Sequence, residues 1–326
     1  LGKTYLENSK LDAFLERLRR FGALHGPTVS DAGVACFSPL VELATLRLDY
    51  GRTLVPPKKY LLPFREELLQ FQDGSYRSAA AADREVVLFG VHPCDLAGIA
   101  YLDTVFLSDP PDPGYAARRA GLTLIGISCE PDDYCFCTEA PERADCDLFL
   151  SAREGGYLLQ AGTPRGEAIG SAARELLAQA PLPPPAPPRA RRAIAPQDPQ
   201  LRFSEHPLWE RFAELCLSCG ACSVCCPTCY CFDVREYPRL SGGSGRLREW
   251  DNCLFKNHGA VAGSANFRAS RLERLRYRFL HKFCGFSPLQ GMVSCVGCGR
   301  CKSACPVEID LRELIPGGAG PEGGPP

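Results

Sequence analysis

Nineteen cysteines in 326 residues, most of them at short fixed intervals, constrain this chain more than any other feature. One run reads Cys216-Leu-Ser-Cys219-Gly-Ala-Cys222-Ser-Val-Cys225-Cys226-Pro227. Taken as C-x2-C-x2-C-x3-C-P, it uses Cys216, Cys219, Cys222 and Cys226. The same spacing returns at Cys295, Cys298, Cys301 and Cys305, closed by Pro306. A short loop of this kind can set three thiolates around one face of an iron–sulfur cube. The fourth then points away and ligates the cube of the other copy. The pattern predicts two [4Fe–4S] clusters with crossed ligation. Cys216, Cys219, Cys222 and Cys305 hold one, and Cys295, Cys298, Cys301 and Cys226 hold the other. C-x2-C pairs also serve zinc, but two complete copies, each ending in Cys-Pro, favour clusters.

Bulk composition narrows the class further. The chain is long enough for two domains with real cores, and 45% hydrophobic with 23% charged residues is a globular balance. A net charge of −1 gives no polyelectrolyte argument for nucleic acid. No apolar run reaches the length of a membrane span. No apolar h-region follows Leu1-Gly-Lys-Thr4, so the expectation is a reducing cytoplasm, in which clustered cysteines serve metals rather than disulfides.

The N-terminal part alternates helical and strand signals. Leu11, Phe14, Leu15, Leu18 and Phe21 recur at helical spacing within 5–22. Residues 27–75 read as short strands and turns, with a short helix opening at Pro63. Lys58 and Lys59 read as a solvated pair. Glu85-Val-Val-Leu-Phe-Gly-Val91 and Leu122-Thr-Leu-Ile-Gly-Ile-Ser128 are continuous apolar runs, as expected of buried parallel strands, with a helical stretch between them. Cys94 and Cys129 then stand at the carboxyl ends of neighbouring strands, where open α/β sheets build their sites. Cys135-Phe-Cys137 follows closely. Cys94, Cys129, Cys135 and Cys137 supply enough thiols for a third [4Fe–4S] cluster. The competing reading makes Cys94 and Cys129 small buried hydrophobes. Cys36 and Cys146 read as structural.

Residues 148–177 read as a hairpin, turning at Glu154-Gly155-Gly156, and then a helix. A Pro-rich stretch over 181–202, ending in a basic Arg189-Ala-Arg-Arg192, reads as a linker. Trp209–Leu215 reads as a helix that delivers the first cysteine repeat. Between the repeats, Arg268–Lys282 reads as an amphipathic helix, apolar at Leu272, Leu275, Phe279 and Phe283, with Arg271, Arg274, Arg276 and Arg278 on a face that is either solvated or steers an acidic redox partner. Five more thiols, Cys225, Cys229, Cys231, Cys253 and Cys284, have no resolvable pattern. They could ligate another cluster, but buried or supporting thiols are the default.

Nucleotide fingerprints are missing from the sequence. No G-x-G-x-x-G opens a helix after a strand, and there is no G-x4-G-K-[ST]. No flavin or nucleotide is therefore expected on this chain. The expected architecture is an α/β N-terminal domain with a short parallel sheet (1–180), the linker (181–202), an all-α two-cluster ferredoxin-like domain (203–312) and a Gly/Pro-rich tail (313–326).

Taken together, Phe89-Gly-Val-His-Pro-Cys-Asp95, Tyr115-Ala-Ala-Arg-Arg119, Cys135-Phe-Cys137, Cys226-Pro-Thr-Cys-Tyr-Cys-Phe232, Trp250-Asp-Asn-Cys253 and Cys295-Val-Gly-Cys-Gly-Arg-Cys301 resemble one group of proteins. These are the iron–sulfur beta subunits of cytoplasmic sulfhydrogenases (NAD(P)-linked nickel–iron hydrogenases) and the related A subunit of anaerobic sulfite reductase. The resemblance runs from about Lys58 to Asp310. One departure is Thr138-Glu-Ala-Pro-Glu142, which stands where the family carries a Gly-rich segment. The resemblance implies an electron relay with no turnover of its own. A flavin subunit would exchange electrons with NAD(P)H, and a nickel–iron hydrogenase subunit would be the catalyst. A sirohaem sulfite reductase subunit is the alternative catalyst, and a self-contained sulfur-compound reductase is the alternative function.

Overall fold

The computed structural model describes residues 4–78, 84–137, 146–178, 195–240, 242–285, 289 and 291–315. Most of the linker, most of the tail and the Thr138–Glu142 departure lie outside them. The chain enters through β1 (Thr4–Glu7), so the helix expected over 5–22 begins only at α1 (Leu11–Leu18). Phe14, Leu15 and Leu18 of α1 are fully buried, each contributing about 1.5–3 kcal/mol of apolar burial. Strands β2 (Ala23–Val29) and β3 (Ala35–Pro39) form a hairpin. Next come β4 (Arg65–Gln72) and β5 (Ser75–Ser78), joined by Asp73-Gly74 with both residues at positive φ. That turn explains why no helix opens at Pro63. Asp-Gly with two left-handed residues matches the twist of a two-residue hairpin, and it draws the preceding residues into a strand.

Strand β6 (Val86–Val91), helices α2 (Pro93–Phe106) and α3 (Pro113–Ala120), and strand β7 (Leu122–Ile127) complete a parallel crossover. Val87 and Phe89 of β6 pack in the core on one face of the sheet, and Leu88 packs on the other. A register shift at Gly90 then puts Val91 on the same side as Leu88. Such a bulge re-aims the end of a strand, and here the residues that follow are His92-Pro93-Cys94. The hairpin β8 (Leu148–Arg153) and β9 (Gly156–Ala161), helix α4 (Pro164–Ala172) and the two-residue β10 (Leu177–Ala178) finish this layer.

The resulting sheet has the order β10-β1-β9-β8-β7-β6-β2-β3. Strands β2, β6, β7 and β8 run parallel at its centre, and antiparallel strands flank them. The N-terminal region is α/β as expected, but its sheet is eight-stranded and mixed rather than short and parallel. Antiparallel edges follow from the two tight hairpins, which leave no room for a crossover helix.

The C-terminal region departs further from expectation. After α5 (Leu208–Leu215) and the single turn α6 (Ala221–Val224), the chain forms a hairpin of β11 (Phe232–Pro238) and β12 (Ser244–Trp250). Only then come α7 (Arg271–Phe279) and α8 (Arg300–Ser303). β12 pairs with β4, giving a second, antiparallel sheet of order β11-β12-β4-β5. The region is therefore not all-α. Half of its sheet comes from residues some 170 positions earlier, a long-range pairing that local periodicity cannot report. Arg248 of β12 donates to Glu66 of β4 at 3.0 Å, and Arg118 of α3 donates to the same carboxylate at 2.6 Å. This tie fixes the second sheet against the first layer.

Candidate iron–sulfur centres

The two cysteine repeats fold alike. Ser218 and Gly220 flank Cys219 with φ of 52° and 78°, and Gly297 and Gly299 flank Cys298 with φ of 70° each. A one-turn helix follows in both cases, α6 and α8. Alternating left-handed residues turn successive amide N–H groups toward a common concavity, a geometry that suits anions and iron–sulfur sites. Side chains are excluded at these glycines. A Cβ on Gly220 would lie 2.3 Å from Asn252 Nδ2, and one on Gly299 would lie 2.2 Å from the Tyr134 carbonyl oxygen. Asn252 Nδ2 donates to the Gly220 carbonyl at 2.8 Å, which pins the first loop from β12's trailing end.

All eight repeat cysteines line one largely apolar cavity. Their neighbours are crossed between the repeats. Burial pushes the Cys295 thiol up to about 12 and raises Cys298 and Cys301, and for all three the Cys226 sulfur adds to the effect. Cys222 is likewise raised by burial, with Cys216 and Cys305 among its charged neighbours. Of the eight, Cys219 alone is exposed. Among the described residues, no group of three His, Cys, Asp or Glu side chains converges on a single metal-ion position. Thiols spread around a shared cavity suit a polynuclear centre.

The third group assembles two by two. Cys94, at the start of α2, has Cys129 and Cys298 among its neighbours. Cys135 and Cys137 hydrogen-bond to each other, which lowers the Cys135 thiol to about 6. Both pairs abut the second repeat. The Phe136 amide donates to the Gly297 carbonyl at 2.8 Å, and a Cβ on Gly297 would meet the Cys137 backbone at 2.4 Å.

Buried cations surround these thiols, and sequence reasoning missed them. Lys58, Arg278 and Lys282 are 3%, 3% and 5% exposed. Lys58 donates to the Cys229 carbonyl at 2.7 Å and stacks over Trp250. Arg278 donates to Cys229 Sγ at 3.4 Å and to the Cys222 carbonyl at 2.7 Å. Lys282 donates to Thr228 Oγ1 at 2.8 Å, and that hydroxyl contacts Cys226 Sγ at 3.3 Å. Lys58 is therefore not a solvated residue, and Lys59 is half-buried, donating to the Phe37 carbonyl. Arg274 and Arg278 of α7 are buried, whereas Arg271 is exposed and Arg276 half-buried, so only part of the arginine face is solvated.

Burial lowers the Lys58 ammonium, with Cys229 and Cys226 opposing that. The same sulfurs hold the Lys282 ammonium above its ordinary range against burial. An unpaired buried charge costs several kcal/mol, so Arg278 and Lys282 beside these thiols favour an anionic centre. Thiolates carrying a cluster supply one. The signal that could have revealed it was the placing of Arg278 and Lys282 next to the apolar Phe279 and Phe283 along 268–283.

A fourth cation is paired. Arg300, inside the second repeat, holds Asp95 in a bidentate ion pair at 2.7 and 2.8 Å, with side chains 2% and 0% exposed. Its Nε donates to the Thr53 carbonyl at 2.8 Å. This pair locks the second repeat to the start of α2, next to Cys94.

Comparison with known proteins agrees with this geometry. Residues 215–309 match the model of the 4Fe-4S dicluster domain family, a span that contains all eight repeat cysteines. No solved structure matches the chain. No helix of the described residues is long and apolar enough to cross a membrane. The chain is similar to sulfhydrogenase 2 subunit beta of Pyrococcus furiosus, at 35% identity across 95% of this chain and 96% of the relative. A match of that identity over nearly the whole of both chains places the protein in the family of sulfhydrogenase beta subunits.

Proposed function

We propose that this subunit relays electrons through three [4Fe–4S] clusters between a flavin subunit that uses NAD(P)H and a nickel–iron hydrogenase subunit, in the cytoplasm. The carrying observation is the cavity shared by the two repeats, with Cys226 beside Cys295, Cys298 and Cys301, and with Cys305 beside Cys222. It supports the crossed assignment. Cys216, Cys219, Cys222 and Cys305 hold one cluster, and Cys295, Cys298, Cys301 and Cys226 hold the second. Cys94, Cys129, Cys135 and Cys137 hold the third, supported by the packing of both pairs against the second repeat. The name of the relative, a beta subunit of a sulfhydrogenase, supports an assembly of several chains.

When bound, such clusters store and pass single electrons at potentials set by their surroundings. The chain's own residues supply those surroundings. The Ser218 amide donates to Cys216 Sγ and the Ile309 amide to Cys305 Sγ, each at 3.4 Å. Arg278 and Lys282 favour the more negative, reduced state. Leu275, Phe283 and Val307 line the cavity and limit water. Cys219, being exposed, marks the side on which electrons enter or leave.

Gentle anaerobic purification from native cells, followed by iron analysis and mass spectrometry of the co-purifying chains, tests the proposal. The expected result is about twelve iron atoms per chain together with a flavin chain and a nickel–iron chain. A sirohaem chain would replace the hydrogenase assignment with sulfite reduction. A solitary chain that turns over a sulfur compound would end the relay reading.

A further inference from the structure

Three of the thiols outside the two ligand sets and the Cys94–Cys137 group gather in one place: Cys229, Cys231 and Cys253. Cys231 immediately precedes β11, and Cys253 lies just beyond β12. The hairpin register sets Phe232 opposite Trp250, and the Asp251 amide donates to the Cys231 carbonyl at 2.9 Å. The same end of the hairpin therefore carries both cysteines. Each thiol lies within hydrogen-bonding reach of the other. From such a contact, a side-chain adjustment reaches disulfide geometry. Both line a small cavity together with Cys229, Arg278 and Lys282. The wall is shared with the cluster cavity, because Arg278 also holds the Cys222 carbonyl and Lys282 holds Thr228 beside Cys226.

We propose that Cys231 and Cys253 form a redox-active dithiol–disulfide pair, placed to exchange electrons with the neighbouring cluster centre. In the reductive direction the S–S bond breaks and two S–H bonds form. Two electrons arrive one at a time from an iron–sulfur cluster, and two protons come from water. In the oxidative direction the same electrons and protons leave. The electron source rests on the relay reading above; the pairing of the thiols does not. Chemically, the pair exchanges one-electron carriers for a two-electron, two-proton store. Arg278 and Lys282, beside Cys253, favour thiolate character at that sulfur, hence the reduced form over the disulfide. That raises the potential above that of an inert structural disulfide.

The test uses the full chain, isolated anaerobically with its iron. One portion is oxidised with a mild dye, and another is reduced with dithionite in the absence of thiol reagents. Free thiols are trapped with N-ethylmaleimide, and peptides are mapped by mass spectrometry. The oxidised sample should contain a Cys231–Cys253 cross-linked peptide, and reduction should lower its amount at least tenfold. Cys231→Ala and Cys253→Ala variants should keep the wild-type iron content and lose the cross-link. No cross-link in the oxidised wild-type chain overturns the proposal, and this needs no variant to fold. Loss of about four iron atoms from either variant also overturns it, by making these cysteines ligands of a further cluster. An iron-free wild-type chain would sink the relay reading alone, and the cross-link would still decide the pair.

Discussion

Arg300→Met is the substitution expected to cost most for its size. Arg300 and Asp95 are 2% and 0% exposed in their side chains and share two hydrogen bonds below 3 Å. Removing one partner of a buried pair leaves the other charge without compensation, a loss of about 3–5 kcal/mol. The Thr53 carbonyl also loses the Arg300 Nε–H, which adds about 1 kcal/mol. At about 2–4 °C in melting temperature per kcal/mol, the expected drop is on the order of 8–24 °C. The assay is a thermal melt of the anaerobic, iron-loaded protein, followed by both circular dichroism and visible cluster absorbance. The pair anchors the second repeat against α2, so the two signals should fall together and earlier than in wild type. The double variant Arg300→Met with Asp95→Leu removes both charges and should recover most of the loss. A fall below about 1 kcal/mol in the single variant, or a double variant no better than the single, would refute this account of the pair.

Other perturbations separate the remaining arguments. Gly299→Ala places a Cβ 2.2 Å from the Tyr134 carbonyl at φ of 70° and should abolish retention of the second repeat's cluster, read as iron content. Gly263→Ala is the control: it has φ of 77° but meets nothing within 4 Å, so it should cost about 1 kcal/mol in strain and leave iron unchanged. Arg278→Gln removes a buried cation beside Cys222 and Cys229. It should shift a cluster potential downward by tens of millivolts in a redox titration followed by electron paramagnetic resonance, and an upward shift would contradict the electrostatic role. His281 is held down to about 3, first by burial and then by Lys282 and Arg278. Its stabilising contribution is therefore complete above the unfolded value of about 6.5. The contribution is lost as pH falls below that, by at most about 1.4 kcal/mol per pH unit. Melts between pH 5 and 7.5 should be flatter for His281→Gln than for wild type.

The chemistry of the centre was legible in the sequence because its grammar is local. Three thiolates on one short loop must be spaced by two residues, so Cys216–Cys226 and Cys295–Cys305 announce themselves without a fold. The same holds for the buried strands β6 and β7, whose continuous apolar runs need no partner to be recognised, and for the turn at Glu154-Gly155. Asp73-Gly74 was legible too, and it was passed over for the weaker helix signal at Pro63. What only the tertiary structure decided is long-range. β12 takes β4 as its sheet partner, and this makes the cluster region part β. Lys58 and Arg278 look like surface charges in a local window, yet they end beside Cys229, brought there from residues over two hundred positions apart. Asp95 finds Arg300 across a similar distance, and the β11–β12 hairpin lays Cys231 beside Cys253. Periodicity and spacing report which residues share a loop or a face. Which charges lose their water, and which thiols meet, depends on how distant segments pack, and that is set by burial of the whole core rather than by any one stretch.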